Sequence, residues 1–283
     1  MDSVAPTFEQ LAERGDDIDV ALGAALLARD VYGSLDVPRL LGRFDELALP
    51  LLGQGLGAKS AREQAKAVSA HLYDTLGFAG NVADYYDARN SLLPDVLDRR
   101  MGIPISLALV YCEVARRVGV DARGVSFPGH FLVRVMKNSR VPGDEDVLVD
   151  PFFEGKVLDE QSLAALVARV SGQAASEASL RPEMLAPATG RTVLMRWLMN
   201  LRGVYLSRGD LPRAMLIVDR LVSLSPRDRN LLRDRGMLAA RLGAVGAARE
   251  DLMRALSMDP AGEGAAELRD ALEKLDAKPS RAN

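Results

Sequence analysis

The feature that most constrains the fold is a 34-residue repeat in the last third of the chain. Residues that suit turns and close helix contacts recur at this offset: Gly209 as Gly243, Ala214 as Ala248 and Pro226 as Pro260. Glycine permits a turn between two helices, alanine lets helices cross closely, and proline ends a helical unit. Because one helix pair cannot bury its apolar face alone, such pairs stack around a shared core. The period therefore predicts an all-α repeat module over residues 193–276, closed by a capping helix.

The period is typical of tetratricopeptide repeats, which this module resembles. The resemblance implies that a protein or peptide binds along the first helix of each unit, and these helices are predicted to begin near Met195 and Arg229. Four positions on them are candidate binding residues: Asn200, Arg202, Arg233 and Arg235. They predict a basic groove suited to a peptide with carboxylates. The alternative is that these arginines hold the two parts of the chain together, since an independent array needs about three repeats.

Residues 1–180 carry a different pattern, in which helical segments precede short β-rich ones. The segment Pro104–Val118 is apolar on every side in its first half, which predicts a buried central helix. Three β-rich segments follow: Gly124–Phe127, Phe131–Met136 and Val147–Val149. Two of them flank one polar loop and predict an antiparallel hairpin, so we expect an α+β domain with a small antiparallel sheet. We also predict a linker at 181–192 and a disordered tail at 277–283.

Composition and charge narrow the class of partner. The net charge is −3 and the pI about 5.6, so neither nucleic acid nor an anionic membrane is an expected partner. The single cysteine excludes an internal disulfide and favours a reducing compartment. The first residues lack the pattern of a signal peptide, and no apolar run reaches the roughly 20 residues of a membrane span. We therefore predict a cytoplasmic protein, and we expect neither a cofactor nor a metal ion.

Of the two histidines, only His130 stands in a pattern that suggests chemistry. It follows Pro128–Gly129 and opens a predicted strand, while Asp150 closes the strand across the hairpin. Cross-strand neighbours have Cβ atoms about 5 Å apart, so the carboxylate would orient the imidazole and stabilise its charged form. A His–Asp pair at the end of a sheet is also a common structural contact. The pattern alone leaves both interpretations open.

Three stretches around this pair resemble a known family. They are YYDARNSLLPDVLDRR, then GIPISLALVYCEVARRVGVDARGVSFPGHFLVRV, then LVDPFF. Together they resemble the transglutaminase-like core of the papain-type fold, most specifically at Asn90–Ile105 and Pro128–His130. With tetratricopeptide repeats behind this core, the chain is similar to a widespread bacterial family whose biochemical role is poorly defined.

The resemblance also implies where a nucleophile would lie. In catalytic relatives a Gly-x-Cys motif leads into the central helix, with alanine four residues after the cysteine. Gly102 and Ala108 match this motif, but Pro104 stands at the position of the cysteine. His130 and Asp150 match the second and third catalytic members. Proline suits the first turn of a helix and has no nucleophile, so the resemblance implies a non-catalytic protein- or peptide-binding or regulatory scaffold.

Two other side chains are candidate replacements for the missing nucleophile. Ser106 is in the first turn, but helix positions two residues apart point about 200° away from each other. A hydrolase or acyl-transferase that uses Ser106 with His130 and Asp150 is the alternative function. Cys112 lies about 12 Å further along the helix axis among apolar neighbours, and it is predicted to be a core residue.

Arg99 and Arg100, just before the central helix, form the remaining candidate site. They predict either a charged helix surface or a site that holds a carboxylate or phosphate near the N-terminus of that helix. The sequence leaves these two interpretations open.

Overall fold

The structure is a computed structural model that describes residues 6–171 and 181–276 and divides into two compact units. The first unit consists of Pro6 and Thr7 with the described residues of 14–197. The second consists of Phe8–Glu13 and residues 198–276. None of the helices in these described ranges is both long and apolar enough to cross a membrane. The predicted tail at 277–283 lies outside the described residues.

Among the described residues, five α-helices precede the central helix. They are α1 (Phe8–Ala12), α2 (Val20–Tyr32), α3 (Val37–Ala48), α4 (Ala61–Ser69) and α5 (Leu93–Arg99). Polar side chains set where they begin, because the first N–H groups of a helix have no partner within it. Asp19 accepts the N–H of Leu22 at 2.9 Å to cap α2, and Ser60 forms a capping box with Glu63 at α4. Helix α4 continues as a π-helical segment, Ala70–Thr75.

The central helix, α6 (Pro104–Arg117), is buried over its first eight residues, as its apolar sequence predicts. Its one aromatic hydroxyl, on Tyr111, is satisfied by the carbonyl oxygen of Ala65 at 3.0 Å. A short parallel pair formed by β1 (Ala79–Gly80) and β2 (Met101–Gly102) leads into the helix. The sequence analysis missed this pair, because two-residue strands are too short to show an alternating pattern.

An antiparallel sheet of four strands follows, which confirms the predicted α+β class. Its order is β3 (Ala122–Val125), β4 (Leu132–Val135), β5 (Val147–Asp150) and β6 (Lys156–Leu158). The predicted hairpin is β4–β5, with Val133 opposite Val149. Phe127 lies beyond β3, because its N–H bonds to the carbonyl of Val125 and the chain turns there. Helix α7 (Glu160–Ser171) follows β6 and packs through Leu166 on the buried residues of β3 and β4.

The predicted all-α repeat module is also confirmed. Its helices are α8 (Gly190–Ser207), α9 (Leu211–Leu224), α10 (Arg229–Arg241), α11 (Val245–Met258) and α12 (Ala265–Asp276). Gly209 and Gly243 have φ angles of 69° and 83°, a left-handed conformation that favours glycine, and each makes the turn inside a helix pair. Ala214 and Ala248 are fully buried. The 34-residue period thus corresponds to one helix pair.

Helix α8 begins at Gly190 rather than near Met195. The hydroxyl of Thr189 accepts the N–H of Thr192 at 3.2 Å and so caps the helix. The segment 181–192, predicted to be a linker, therefore contains a 3-10 turn (Pro182–Leu185) and the start of α8. The first turns of α8 belong to the first unit, where the buried indole of Trp197 donates to the carbonyl of Ser91 at 2.8 Å.

Candidate functional site

The start of α6, where the resemblance places a nucleophile, holds structural groups instead. Pro104 is the first residue of the helix and is buried. The hydroxyl of Ser106 accepts the N–H of Ile103 at 3.0 Å and donates to the carbonyl oxygen of Asn90 at 2.6 Å. A Cβ atom on Gly102 would lie 2.5 Å from this hydroxyl, so glycine there makes room for the serine. Ser106 therefore joins the helix start to the preceding segment.

His130 and Asp150 are in direct contact and almost fully buried. The imidazole Nε2 lies 2.8 Å from Oδ2 of Asp150. The other carboxylate oxygen accepts the backbone N–H groups of Phe152 at 3.0 Å and Phe153 at 3.3 Å. The backbone N–H of His130 donates to the carbonyl of Phe127 at 3.1 Å. Each member of the pair is thus fixed both by the contact between the two side chains and by hydrogen bonds that involve the backbone.

The sequence suggested that His130 and Asp150 lie directly opposite each other. In the structure they lie diagonally across the hairpin. The register that pairs Val133 with Val149 sets Leu132 opposite Asp150, two residues beyond His130. Diagonal neighbours are still within reach of a long side chain. The imidazole Nδ1 has no hydrogen-bond partner among the described residues. The arrangement orients an imidazole as acid–base pairs require, and no hydroxyl or thiol of the described residues is hydrogen-bonded to it.

An aromatic cluster beside the pair was missed by the sequence analysis. The rings of Phe152 and Phe153 lie 6.4 Å and 6.2 Å from the imidazole, and Tyr85 lies 5.9 Å from Phe152. A Cβ atom on Gly80 would be 2.6 Å from Phe152, so the ring rests directly on the backbone of β1. The double aromatics in YYDARN and DPFF were the only signal in the sequence. Local patterns do not reveal that two such segments meet.

Asn90 holds the segment that carries Tyr85. Its amide nitrogen donates to the carbonyl oxygens of Asp84 at 2.7 Å and Tyr85 at 3.2 Å. Its amide oxygen accepts from the side chain of Asn81 at 2.9 Å. The side chain is fully buried, and its hydrogen bond with Asn81 is shielded from water. Asn90 therefore links the aromatic cluster to the start of α6.

Arg99 and Arg100 are bound to groups of this chain. Arg99 lies 3.5 Å from the carboxylate of Asp87, and Arg100 donates to the carbonyl oxygen of Leu76 at 2.6 Å. Burial opposes ionisation of Asp87, but hydrogen bonds from Arg89 outweigh it and hold the pKa of Asp87 below its ordinary value. The position that a ligand carboxylate would take beside Arg99 is thus filled by Asp87. This geometry favours the charged helix surface over the carboxylate or phosphate site.

Arg235 is not part of an open basic groove, which corrects the sequence-based interpretation. It donates to both carboxylate oxygens of Asp251 at 2.7 Å and to Asp219 at 3.1 Å. Asp251 is on α11 and Asp219 is on α9, so Arg235 of α10 joins three helices of the module. The hydrogen bonds that Arg235 donates to Asp251 raise the pKa of Arg235 above its ordinary value. Helix periodicity identifies neither carboxylate as its partner.

The other three predicted residues of the module also differ from the expected groove. Arg202 and Arg233 both pair with Asp234, so one of their two positive charges is compensated. Asn200 is half-buried on α8. Pairing with Asp234 leaves this surface less basic than the count of arginines suggested.

Cys112 is half-buried rather than a core residue. It lines a cavity of about 480 Å³ whose walls include Ile18, Leu109 and Phe131. Its surroundings are nonetheless apolar, and burial raises the pKa of the thiol well above its ordinary value. The thiolate, which is the reactive form, is therefore scarce at neutral pH. The carboxylates of Glu113 and Asp121 raise this pKa further, so the nearby charges do not favour a thiolate.

Across residues 6–171 and 181–276, no group of three or more His, Cys, Asp or Glu side chains is placed to hold a metal ion.

A central helix beside an antiparallel sheet, with a His–Asp pair at the sheet end, defines a transglutaminase-like domain, here followed by tetratricopeptide repeats. Family comparisons agree: the transglutaminase-like superfamily matches residues 39–199 and the tetratricopeptide repeat matches residues 201–273. A UPF0162 protein of Xylella fastidiosa (strain 9a5c) is 39% identical over 269 residues, which are 90% of this chain and 89% of that protein. The chain therefore belongs to the transglutaminase-like superfamily and, within it, to the bacterial UPF0162 proteins.

Two further relatives show how far the similarity extends. A UPF0162 protein of Vibrio cholerae is 29% identical over 200 residues, covering 70% of this chain and 71% of that protein. The mouse F-box only protein 21 is 40% identical over 104 residues, which are 36% of this chain and 17% of that protein. A segment of the chain is thus similar to part of a longer eukaryotic protein.

Proposed function

We propose that the protein is a non-catalytic transglutaminase-like protein of the cytoplasm, which binds a protein or peptide partner through its repeat module. The observation that carries this proposal is the start of α6, where Pro104 replaces a nucleophile. A histidine activates a thiol or hydroxyl only within hydrogen-bond reach. The alternative hydrolase or acyl-transferase would need Ser106 to leave a fully buried position and break its hydrogen bonds to Asn90 and Ile103.

We expect no amidase or transamidase turnover above background, because no side chain at position 104 can form an acyl intermediate. The measurement is release of ammonia or amine from generic acyl-amide substrates by the full chain, with His130→Ala as the matched variant. The wild type and His130→Ala should give the same background rate. Steady turnover that His130→Ala abolishes would contradict the proposal and favour the Ser106 alternative.

The partner surface is proposed to be a groove between α8 and α10. It has a volume of about 160 Å³ and is lined by Arg202, Leu206, Asp234, Met237, Leu238 and Arg241. Met237 is 43% exposed, and methionine adapts its shape to apolar partner side chains. Arg241 is exposed and has no ion-pair partner among the described residues. An apolar wall beside a free guanidinium supports binding of a peptide with both apolar and acidic side chains.

We expect Met237→Glu to abolish capture of the partner from native lysate, because the new carboxylate would enter the apolar wall and repel an acidic peptide. The matched control is Met253→Glu, since Met253 is 56% exposed and lies on α11, outside the groove. Bands retained by the wild type and Met253→Glu but lost with Met237→Glu identify the groove as the binding surface. If both variants behave alike, the partner binds elsewhere.

A further inference from the structure

A second pocket lies beside Asp150, in the first unit. Its volume is about 370 Å³, and residues of β6 and α7 line it together with Phe153. Phe153, Leu158 and Leu166 provide its apolar walls. Pockets that bind small ligands start at roughly 300 Å³, so this one suits a single large side chain with its terminal group.

The charged groups of the pocket are unequal in number. Lys156 and Arg169 line it and are exposed, and neither has an ion-pair partner among the described residues. Asp150 is the one acidic group in the lining, and its carboxylate is already bound to His130 and to two backbone N–H groups. Hydrogen bonds from Ser162 and the charge of Lys156 lower the pKa of Asp159, so Lys156 already has a carboxylate nearby and Arg169 is the cation left for a ligand. The pocket therefore suits a monoanion with an apolar body.

The edge of the sheet favours a peptide as the source of that anion. β6 is the last strand of the four-stranded sheet, so it pairs with β5 on one side only. An extended peptide can bind to such a strand edge through its backbone. Its last side chain and carboxylate would then enter the pocket, where Lys156 and Arg169 bind the carboxylate and Leu158 and Leu166 contact the side chain.

We propose that this pocket binds the C-terminal carboxylate of a peptide that ends in an apolar residue. The site lies in the transglutaminase-like domain and does not depend on the repeat groove. It thus adds a second peptide-binding surface, one that uses the vicinity of the His–Asp pair for recognition rather than for catalysis.

The test uses the full chain and a fluorescein-labelled hexapeptide ending in leucine, as free acid and as C-terminal amide. Fluorescence polarisation should show the amide binding at least about tenfold more weakly, because the charge-assisted hydrogen bonds to its carboxylate are lost. Equal affinities would overturn the proposal. N-acetyl-leucine should displace the labelled acid only weakly, since it lacks the backbone that pairs with β6. If N-acetyl-leucine displaces the labelled acid as effectively as the unlabelled peptide does, the ligand is not a peptide and the proposal fails.

Variants locate the binding. We expect Arg169→Gln and Lys156→Gln each to lower the affinity for the free acid roughly tenfold. The affinity for the amide should stay unchanged. Arg140→Gln is the matched control, since Arg140 is an exposed arginine of the same unit outside the pocket lining. Met237→Glu should also leave this binding unchanged, which separates failure of this proposal from failure of the repeat groove. If Arg169→Gln and Lys156→Gln bind the acid as Arg140→Gln does, the pocket is not the site.

Discussion

Replacement of Arg235 by glutamate is expected to lower the free energy of unfolding by about 3–5 kcal/mol. This is the cost of leaving the buried carboxylate of Asp251 without its cationic partner. Arg235 donates to both carboxylate oxygens of Asp251, which is 5% exposed, and it also contacts Asp219. Glutamate at this position would bring three carboxylates together at a partly buried position of the repeat module. The measurement is urea unfolding, read as a lower midpoint at an unchanged m-value.

Arg233→Glu is the matched control for this prediction. Arg233 is on the same helix and is more exposed, and Asp234 keeps its contact with Arg202 when Arg233 is lost. We expect a loss of less than about 1 kcal/mol, as for other pairs near the surface. If the two charge reversals lower stability equally, Arg235 does not join the three helices as the hydrogen bonds indicate. The comparison also matters for partner binding, because a defect caused by Arg235→Glu would reflect unfolding of the module.

Replacement of Asn90 by leucine is expected to cost roughly 3 kcal/mol or more. Leucine has a similar size but leaves the buried amide of Asn81 without its acceptor and the part-buried carbonyl oxygens of Asp84 and Tyr85 without their donor. Each buried polar group left unpaired costs about 1–3 kcal/mol. The segment that carries Tyr85 should also loosen, so hydrogen exchange of residues 81–89 should accelerate more than exchange of the sheet.

Asn230→Leu provides the comparison for Asn90. Asn230 is exposed on α10, so its replacement should change stability by no more than about 0.5 kcal/mol. A small effect of Asn90→Leu, or exchange that accelerates uniformly across the first unit, would contradict the role of Asn90 as the organiser of the aromatic cluster.

The His–Asp pair could be predicted because strands joined by one hairpin pair locally, so a short pattern in the chain already brings His130 near Asp150. Its diagonal geometry could not, because the register depends on where each strand begins, and β4 begins at Leu132, two residues after His130. The aromatic cluster depends on contacts between segments far apart in the chain. The sequence pattern of one segment does not indicate that the other segment packs against it.

The sequence by itself determined the repeat module and the absence of a thiol at position 104. The first follows from residue identity at a fixed spacing, and the second holds in any fold, because proline carries no nucleophile. Only the tertiary structure decided what the charged side chains do. Arg235 and Lys156 are both cations near a helix or strand surface, yet Asp251 and Asp219 bind the first and no carboxylate among the described residues pairs with the second. The difference arises because the partner of a surface charge comes from whichever element packs beside it, and spacing along one element does not specify that neighbour.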